Sequence, residues 1–549
     1  MKLIIYRLLF FVTAVVVTSC QKLDLVPETQ VSDASFWNKP EDFNLAANDF
    51  YFSLQDAFQF TDANSDIGYG AGPGAVFVPI SNGSFLALAN SDAWDLPYGW
   101  IRGTNYLLQK AGESGLGTEI DRFVGDAYFF RAYNYWKLVK NFGGVPRIDK
   151  VLGVESEELY AARSTQVEII DFIIEDLDAA IAKLPLRSQL TGDEVGRVTI
   201  GAALALKARV ALYQGTWAKF HGDGDAASYL DKAISAAEAL ISSGEYELYN
   251  EMAPLSYKNL HILPGDDSKE VILAKRYYAL RQTHNWTRNL WFNAIVPTKA
   301  MADMYLATDG LPIEQSGLFQ GYATLTSEFQ NRDPRMAQTF VVPGTDIFYE
   351  GGLLTPTYPV FSGSTTGYVI RKFLGETIEA TQFLGDYDFK EFHYAETLLT
   401  LAEALFERDN MISDADLDRT INLIRNRVSM PTLNNAFVTT NSLDMREEIR
   451  RERTVELAFE MFRRDDLRRW KTAETVLPQA VRGVKFVGTE YETRYPDLII
   501  GTDIQVDEDG FIEVESAASR QFLPKHYLDP IPLQQVQLSK ASLTQNPGW

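Results

Sequence analysis

The stretch from Arg122 to Phe142 constrains the fold more than any other part of this chain. Phe123, Ala127, Tyr128, Phe129, Phe130, Tyr133, Tyr135, Trp136, Leu138 and Val139 leave a helix here almost no polar face. Such a helix must be covered on most sides, so it belongs inside a helical assembly. Gly143-Gly144-Val145-Pro146 stops it, because glycine accepts the backbone that follows a helix and proline cannot continue one.

Helices able to cover it flank it in sequence. Asp42 to Leu54 places Phe43, Ala46, Ala47 and Phe50 on one face, and Trp94 to Lys110 is again helical. Ser164 reads as an N-cap for a stripe of Val167, Ile170, Ile174, Leu177, Ile181 and Leu184, ended by Pro185. From Thr199 to Tyr213, Ala202, Ala203, Ala205, Ala208 and Ala211 interleave with leucines, which marks an inner helix of a close-packed pair. Tyr229 to Ser243 repeats that idea. The pairs look like tetratricopeptide-type repeats, although no clean period of about 34 residues is present. Further helices are predicted at Phe389 to Arg408, Asp416 to Val428 and Met445 to Trp470.

Two regions interrupt this order, about 58–93 and about 246–388. Both are rich in Gly, Pro and aromatics, and such long irregular stretches in a compact domain are usually functional. The second holds a short predicted strand, Glu270 to Ala274, and a modest helix, Thr298 to Leu306. The expected fold is mostly α: a tetratricopeptide-like helix-pair scaffold with large irregular loop insertions and few short strands. It forms a single domain over residues 20–549, behind a signal peptide at 1–19.

That signal peptide has basic residues Lys2 and Arg7, then an apolar run from Leu8 to Val17, too short to span a bilayer comfortably. Val17-Thr18-Ser19-Cys20 resembles the lipobox of bacterial lipoproteins, in which the cysteine thiol takes a diacylglyceryl thioether and the signal is cut before it. No later apolar run approaches the roughly 18 residues of a spanning helix, so the expected membrane link is the lipid at Cys20 alone. With one cysteine, an intrachain disulfide and any Cys-based metal site are excluded. A formal charge of −23 disfavours nucleic acid, whose binding rests on phosphate neutralisation.

Catalytic signatures are sparse. The five histidines form no His-Glu-x-x-His pair, and no Gly-x-Ser-x-Gly elbow is present. Gly70-Ala71-Gly72-Pro73-Gly74 neither follows a strand nor opens a helix and lacks the lysine of a phosphate loop. The acidic run around Asp509-Gly510 would place Gln505 and Ser516 where a calcium loop needs carboxylates, so a surface hairpin is expected instead. No cofactor or metal is called for. Arg446 to Lys471 carries nine basic residues against seven acids, including the four-apart pairs Glu447–Arg451, Glu460–Arg464 and Asp465–Arg469. This reads as a salt-bridged helix docked on the core rather than a polyanion site.

The aromatics say more. Phe129, Tyr133, Trp136 and Trp470 read as core. Tyr69, Phe85, Tyr277, Tyr278, Trp286, Trp291, Tyr349 and Tyr358 instead lie in the irregular regions among Asn, Thr, Gly and Arg. A flat ring beside amides and guanidinium suits a sugar, whose C–H face stacks while its hydroxyls hydrogen-bond. The candidate ligand set is Tyr69, Asn82, Phe85, Tyr277, Trp286, Arg288, Trp291, Tyr349 and Tyr358. Alanine at Trp286 and Trp291 is expected to weaken binding without unfolding the scaffold.

Ordered motifs then accumulate: Gly125-Asp126-Ala127-Tyr128-Phe129-Phe130-Arg131-Ala132-Tyr133, Gly196-Arg197-Val198-Thr199, Asn331-Arg332-Asp333-Pro334-Arg335, Ile424-Arg425-Asn426-Arg427, Arg451-Glu452-Arg453-Thr454-Val455-Glu456-Leu457, Asp466-Leu467-Arg468-Arg469-Trp470 and Gln545-Asn546-Pro547-Gly548-Trp549. From Cys20 to Trp549 the chain resembles the SusD/RagB family of Bacteroidetes outer-membrane lipoproteins. The resemblance implies a non-catalytic, surface-exposed protein that binds an oligosaccharide or polysaccharide and caps a SusC-type TonB-dependent transporter as a hinged lid. A peptide-binding subunit of the same transporter type and, more remotely, a surface glycoside hydrolase are the alternatives. The residues after Cys20 depart from the acidic run that often marks surface export in that family.

Overall fold

The computed structural model describes residues 36–55, 61–70, 79–350, 353–361, 365–375 and 384–549. Cys20, the signal peptide and parts of the loop insertions lie outside the described residues. Among the described residues, twenty α-helices accompany only eight strands of two to five residues.

The apolar helix is where its sequence demands. It runs Asp121–Phe142, and Phe129, Phe130, Tyr135, Leu138 and Val139 are completely buried. The scaffold helices used below are α1 (Pro40–Phe50), α2 (Asp92–Ser114), α3 (Asp121–Phe142), α4 (Gln166–Ile181), α5 (Ile200–His221) and α6 (Ala226–Ser242). Each packs on the next from α2 to α6, and α1 lies against α2 and α3. The alanine positions of α5 let α6 approach closely, as expected. Thr165 rather than Ser164 caps α4: its hydroxyl accepts the Glu168 amide while Glu168 reaches back to the Thr165 amide.

Charged motif residues fasten this scaffold from inside. Arg131 on α3 grips Asp176 on α4 through two hydrogen bonds of 2.8 and 2.6 Å. Arg197, just before α5, donates to Asp126 of α3 at 2.6 Å and to Asn44 of α1 at 3.0 Å. At the C-terminus, Asn546 donates to the carbonyls of Phe142 and Asp529, and the Trp549 indole donates to those of Lys525 and Leu528.

The second half departs more from the sequence reading. Strand β1 (Gly68–Tyr69) pairs with β3 (Val296–Pro297), and β2 (Val271–Lys275) pairs antiparallel with β6 (Phe389–His393). The expected helix from Phe389 is therefore a strand first, and helix α9 (Tyr394–Asp409) begins only after it. Between them, α7 (Trp286–Trp291) and α8 (Lys299–Met304) are short, as is the hairpin of β4 (Ile347–Glu350) and β5 (Leu353–Pro356). The predicted helix over Asp416 to Val428 is broken into α10 (Asp414–Asp418) and α11 (Ile421–Arg427). The turn expected at Asp509-Gly510 is present: Val506 bridges Ile512 antiparallel, the Asp507 amide donates to the Phe511 carbonyl at 2.9 Å, and Gly510 turns at φ 82°. The arm that follows, β8 (Phe511–Glu515), pairs with the more distant β7 (Val481–Lys485).

Met445 to Trp470 also divides, into α12 (Met445–Glu456) and α13 (Arg463–Arg469). The crossover between them places Phe459 at φ 63° and Met461 at φ 71°, where non-glycine residues are strained. The expected four-apart pairs do not form. Arg469 instead meets Glu403 of α9 and Asp466, Arg464 meets Asp465, and Glu460 faces Lys372 at 2.6 Å and His393 at 2.8 Å. Arg335 contacts Asp333, Glu452 and Glu456 at 2.7–3.0 Å with 2% of its side chain exposed. The charges of this segment are buried in a long-range lattice rather than laid along one helix. It joins the scaffold core to a second apolar cluster, built on Trp286, Tyr305, Phe340, Tyr368 and Val484.

Candidate functional site

A cleft opens where β2 leaves the scaffold. The chain turns tightly after β2: the Tyr278 and Gln282 amides each donate to the other's carbonyl, at 2.8 and 3.1 Å. This turn projects Tyr278 (52% exposed) and Leu280 (93% exposed, φ 62°) into solvent. Opposite, the residues just after α1 bring Phe52 to the surface, 62% exposed. Phe52 and Tyr278 border one lobe of about 280 Å³ together with Asn48, Asp193, Arg276 and Gln282. A larger lobe of about 690 Å³, edged by Arg187, Ser188, Glu245 and Lys269, adjoins it. Both lobes share the wall made by Val195, Gly196, Arg197, Ala274 and Arg276.

Arg276 divides the two lobes and is held rigidly. Its guanidinium lies 3.1 Å from Asp267 and 3.3 Å from Asp388. Gly196, at φ 93°, forms the backing: a Cβ there would sit 2.8 Å from Arg276 Cδ. Asp388 is in turn fixed by the Tyr277 amide at 2.8 Å. Burial, reinforced by nearby Asp266, pushes the Asp388 carboxyl up to about 6. Arg197 is structural, with its guanidinium over the rings of Tyr51 and Phe123.

The residues singled out from the sequence divide into groups. Trp286 (2% exposed) and Tyr277 (5%) are core residues and offer no ring face to solvent. Trp286 packs edge-on against Phe373, and Tyr277 against His284. Their polar neighbours had suggested exposure, but around Trp286 the residues Asn285, Thr287, Arg288 and Asn289 take the half-buried positions while the ring takes the buried one. Phe85 packs edge-on against Trp549, and Asn82 is occupied with the Ser84 amide. Tyr358 is half-buried with the Arg494 guanidinium 3.4 Å above its ring. Tyr69, on β1, and Trp291, at the end of α7, are half-buried against the second apolar cluster, and Arg288 lies over Phe292. Tyr349 has its backbone in β4; its side chain lies outside the described residues. None of the eight candidates whose side chains are described lines either lobe of the cleft. Among the described aromatics singled out from the sequence, Tyr278 alone borders it. Phe52 escaped notice because an apolar residue at a helix end reads as core. Gln282, four residues after Tyr278, carried no signal of its own.

Among the described residues no group of three or more His, Cys, Asp or Glu could hold a metal. The histidines are engaged in packing: His221 stacks on Trp217 at 4.0 Å, and His261 and His393 flank Glu460.

Against known proteins, a family model described as the SusD family matches residues 269–549. The chain belongs to the SusD family. A second model, described as starch-binding associating with outer membrane, matches residues 26–212. SusD-like protein P38 of Formosa agariphila is 23% identical over 495 residues, covering 85% of this chain and 92% of that protein. Among solved structures, a SusD-like carbohydrate binding protein from Bacteroides fragilis superposes with a TM-score of 0.75 at 24% identity. It covers 92% of this chain and 99% of its own. Surface glycan-binding protein A from Bacteroides fluxus gives a TM-score of 0.63 at 19% identity, covering 93% and 99%. These likenesses carry the SusD-like fold across the helical scaffold and the loop insertions together.

Proposed function

We propose that this SusD-family chain is a non-catalytic, glycan-binding lipoprotein of the outer membrane. It is anchored through Cys20, faces the cell exterior, and passes captured oligosaccharide to a SusC-type TonB-dependent transporter. The observation that carries the reading is the smaller lobe. Two exposed rings, Phe52 and Tyr278, border the same space as the amides of Asn48 and Gln282 and the fixed Arg276 guanidinium. Rings supply stacking area, and planar polar groups supply directional hydrogen bonds to hydroxyls. The carbohydrate-binding descriptions of the relatives support the same ligand class. No described helix is long and apolar enough to cross a membrane, in keeping with attachment by lipid.

Catalysis is disfavoured at two of the cleft's acids, Asp388 and Glu245; Asp193 and Asp267, exposed in the same lobes, are tested by product release. Asp388, 3% exposed along its side chain, is spent on Arg276 and the Tyr277 amide, and Glu245 on the Ser188 backbone and hydroxyl. A general acid has to reach the glycosidic oxygen, and neither carboxylate is presented for that. The test is calorimetric titration of a glycan panel against the protein and its Tyr278→Ala and Phe52→Ala variants. One ring contact contributes about 0.5–1.5 kcal/mol, so each variant is expected to bind roughly two- to tenfold more weakly at an unchanged melting temperature. Binding unaffected by both changes would remove the cleft as the site; release of shortened product from a glycan would overturn the non-catalytic reading.

A further inference from the structure

A second, narrow cavity, partly closed off from solvent, lies under the strained crossover between α12 and α13. Its volume is about 40 Å³, and its walls come from α3, α5, β6 and the crossover itself. Three buried polar atoms on these walls make no hydrogen bond: the Tyr213 hydroxyl, Arg453 Nη1 and Glu391 Oε2. Their residues are only 3%, 3% and 5% exposed. Burying a polar group without a partner is costly, and three at one place call for compensation.

The three atoms differ in kind. Arg453 Nη1 can only donate, Glu391 Oε2 can only accept, and the Tyr213 hydroxyl can do both. An anion would suit the arginine and repel the glutamate; a cation would do the reverse. The surrounding charges are already matched: Lys140 with Asp465, Arg209 with Glu391 and Glu396, Lys390 with Asp266, Arg453 with Asp466, Arg469 with Glu403, and Glu460 with Lys372. No net charge is left to attract an ion. The ligand that satisfies all three is neutral, small, and both donor and acceptor.

We propose that this cavity is an internal hydration site holding a cluster of two or three waters that bridge Tyr213, Arg453 and Glu391. A buried water needs about 10–15 Å³ of such space and makes roughly three hydrogen bonds, so both room and partners suit a cluster of this size. It would join the helical scaffold to the strand that follows the second loop insertion, beside the left-handed residues Phe459 and Met461.

A crystal structure of the protein at better than 2 Å, with a parallel bromide soak, tests the assignment. Density peaks within about 2.6–3.2 Å of the three named atoms are expected, with no anomalous signal. In Tyr213→Phe the peak nearest position 213 is lost and the others remain. Oxygen-17 relaxation dispersion on the unaltered protein gives an independent readout, with long-lived internal water expected. A bromide peak in the cavity, an empty cavity, or no long-lived water signal would each overturn the proposal.

Discussion

Removing the side chain of Trp286 and removing that of Tyr278 are expected to have opposite effects. Trp286 is enclosed by Phe373 and Phe389, so Trp286→Ala leaves a cavity and costs about 3–5 kcal/mol of stability. Tyr278 projects from a turn held by its own backbone bonds, and Tyr278→Ala changes stability by no more than about 0.5 kcal/mol. Urea unfolding of the two variants separates them. A Trp286→Ala protein with an unchanged unfolding midpoint would mean that the ring is not the core element described here. At this scale the sequence misleads for a physical reason. Aromatic residues surrounded by Asn, Thr and Arg look solvated, yet on a short helix such as α7 the polar neighbours take the half-buried positions while the ring takes the buried one.

Among the elements, those with an apolar stripe and a chemical stop were legible: α3 from its rings and its Gly143 stop, α5 from its alanines, α4 within one residue of its cap. The break between α12 and α13 was not. Neither Gly nor Pro occurs from Leu457 to Phe462. The positive φ values there are imposed by partners far away in sequence: Asp62 accepts the amides of Met461 and Arg463, while Lys372 and His393 hold Glu460. Local propensity cannot report such a constraint. Removing the charge at its centre, in Glu460→Gln, leaves Lys372 buried without its counter-ion and is expected to cost about 3–5 kcal/mol. Burial alone would lower the His393 imidazole, but Glu460 and Glu270 outweigh it and raise the ring to about 10. In the variant its NMR titration is expected to move down toward the ordinary histidine range. A His393 titration unmoved by the substitution would show that Glu460 is not its counter-ion.

For the whole molecule, these buried charges set a pH profile. At Glu403, burial is outweighed by Arg469, Arg453 and Trp470, which hold the carboxyl down to about 2. Its contribution is complete above the ordinary value of about 4.5 and is lost as pH falls toward 2. Asp62 runs the other way: burial raises it to about 7 against its two amide donors. The folded state therefore holds a proton that the unfolded chain has released, and stability declines as pH rises from about 4 to 7. His393, raised to about 10, adds a further decline from about 6.5 to 10. Together these three groups place the stability maximum at about pH 4, where the gain from Glu403 and the loss from Asp62 balance. Thermal unfolding from pH 3 to 10 measures it, and a maximum above pH 8 would contradict the buried lattice.

The contacts of the first loop have a consequence for the order in which the molecule can be completed. Asp62 and Asp66 lie beside β1, yet they are tied to Met461 and Arg463, some four hundred residues later; Arg463 meets Asp66 through two bonds of 2.8 Å. A chain emerging from its N-terminus can build α2 to α6 from neighbours as they arrive, because those contacts are local. The loop cannot be pinned until the last fifth of the chain has been delivered. A chain cut short before Arg463 would therefore carry a helical body with an unfinished first loop. Closure of that loop is expected late in assembly, once the chain has been made at least as far as Arg463.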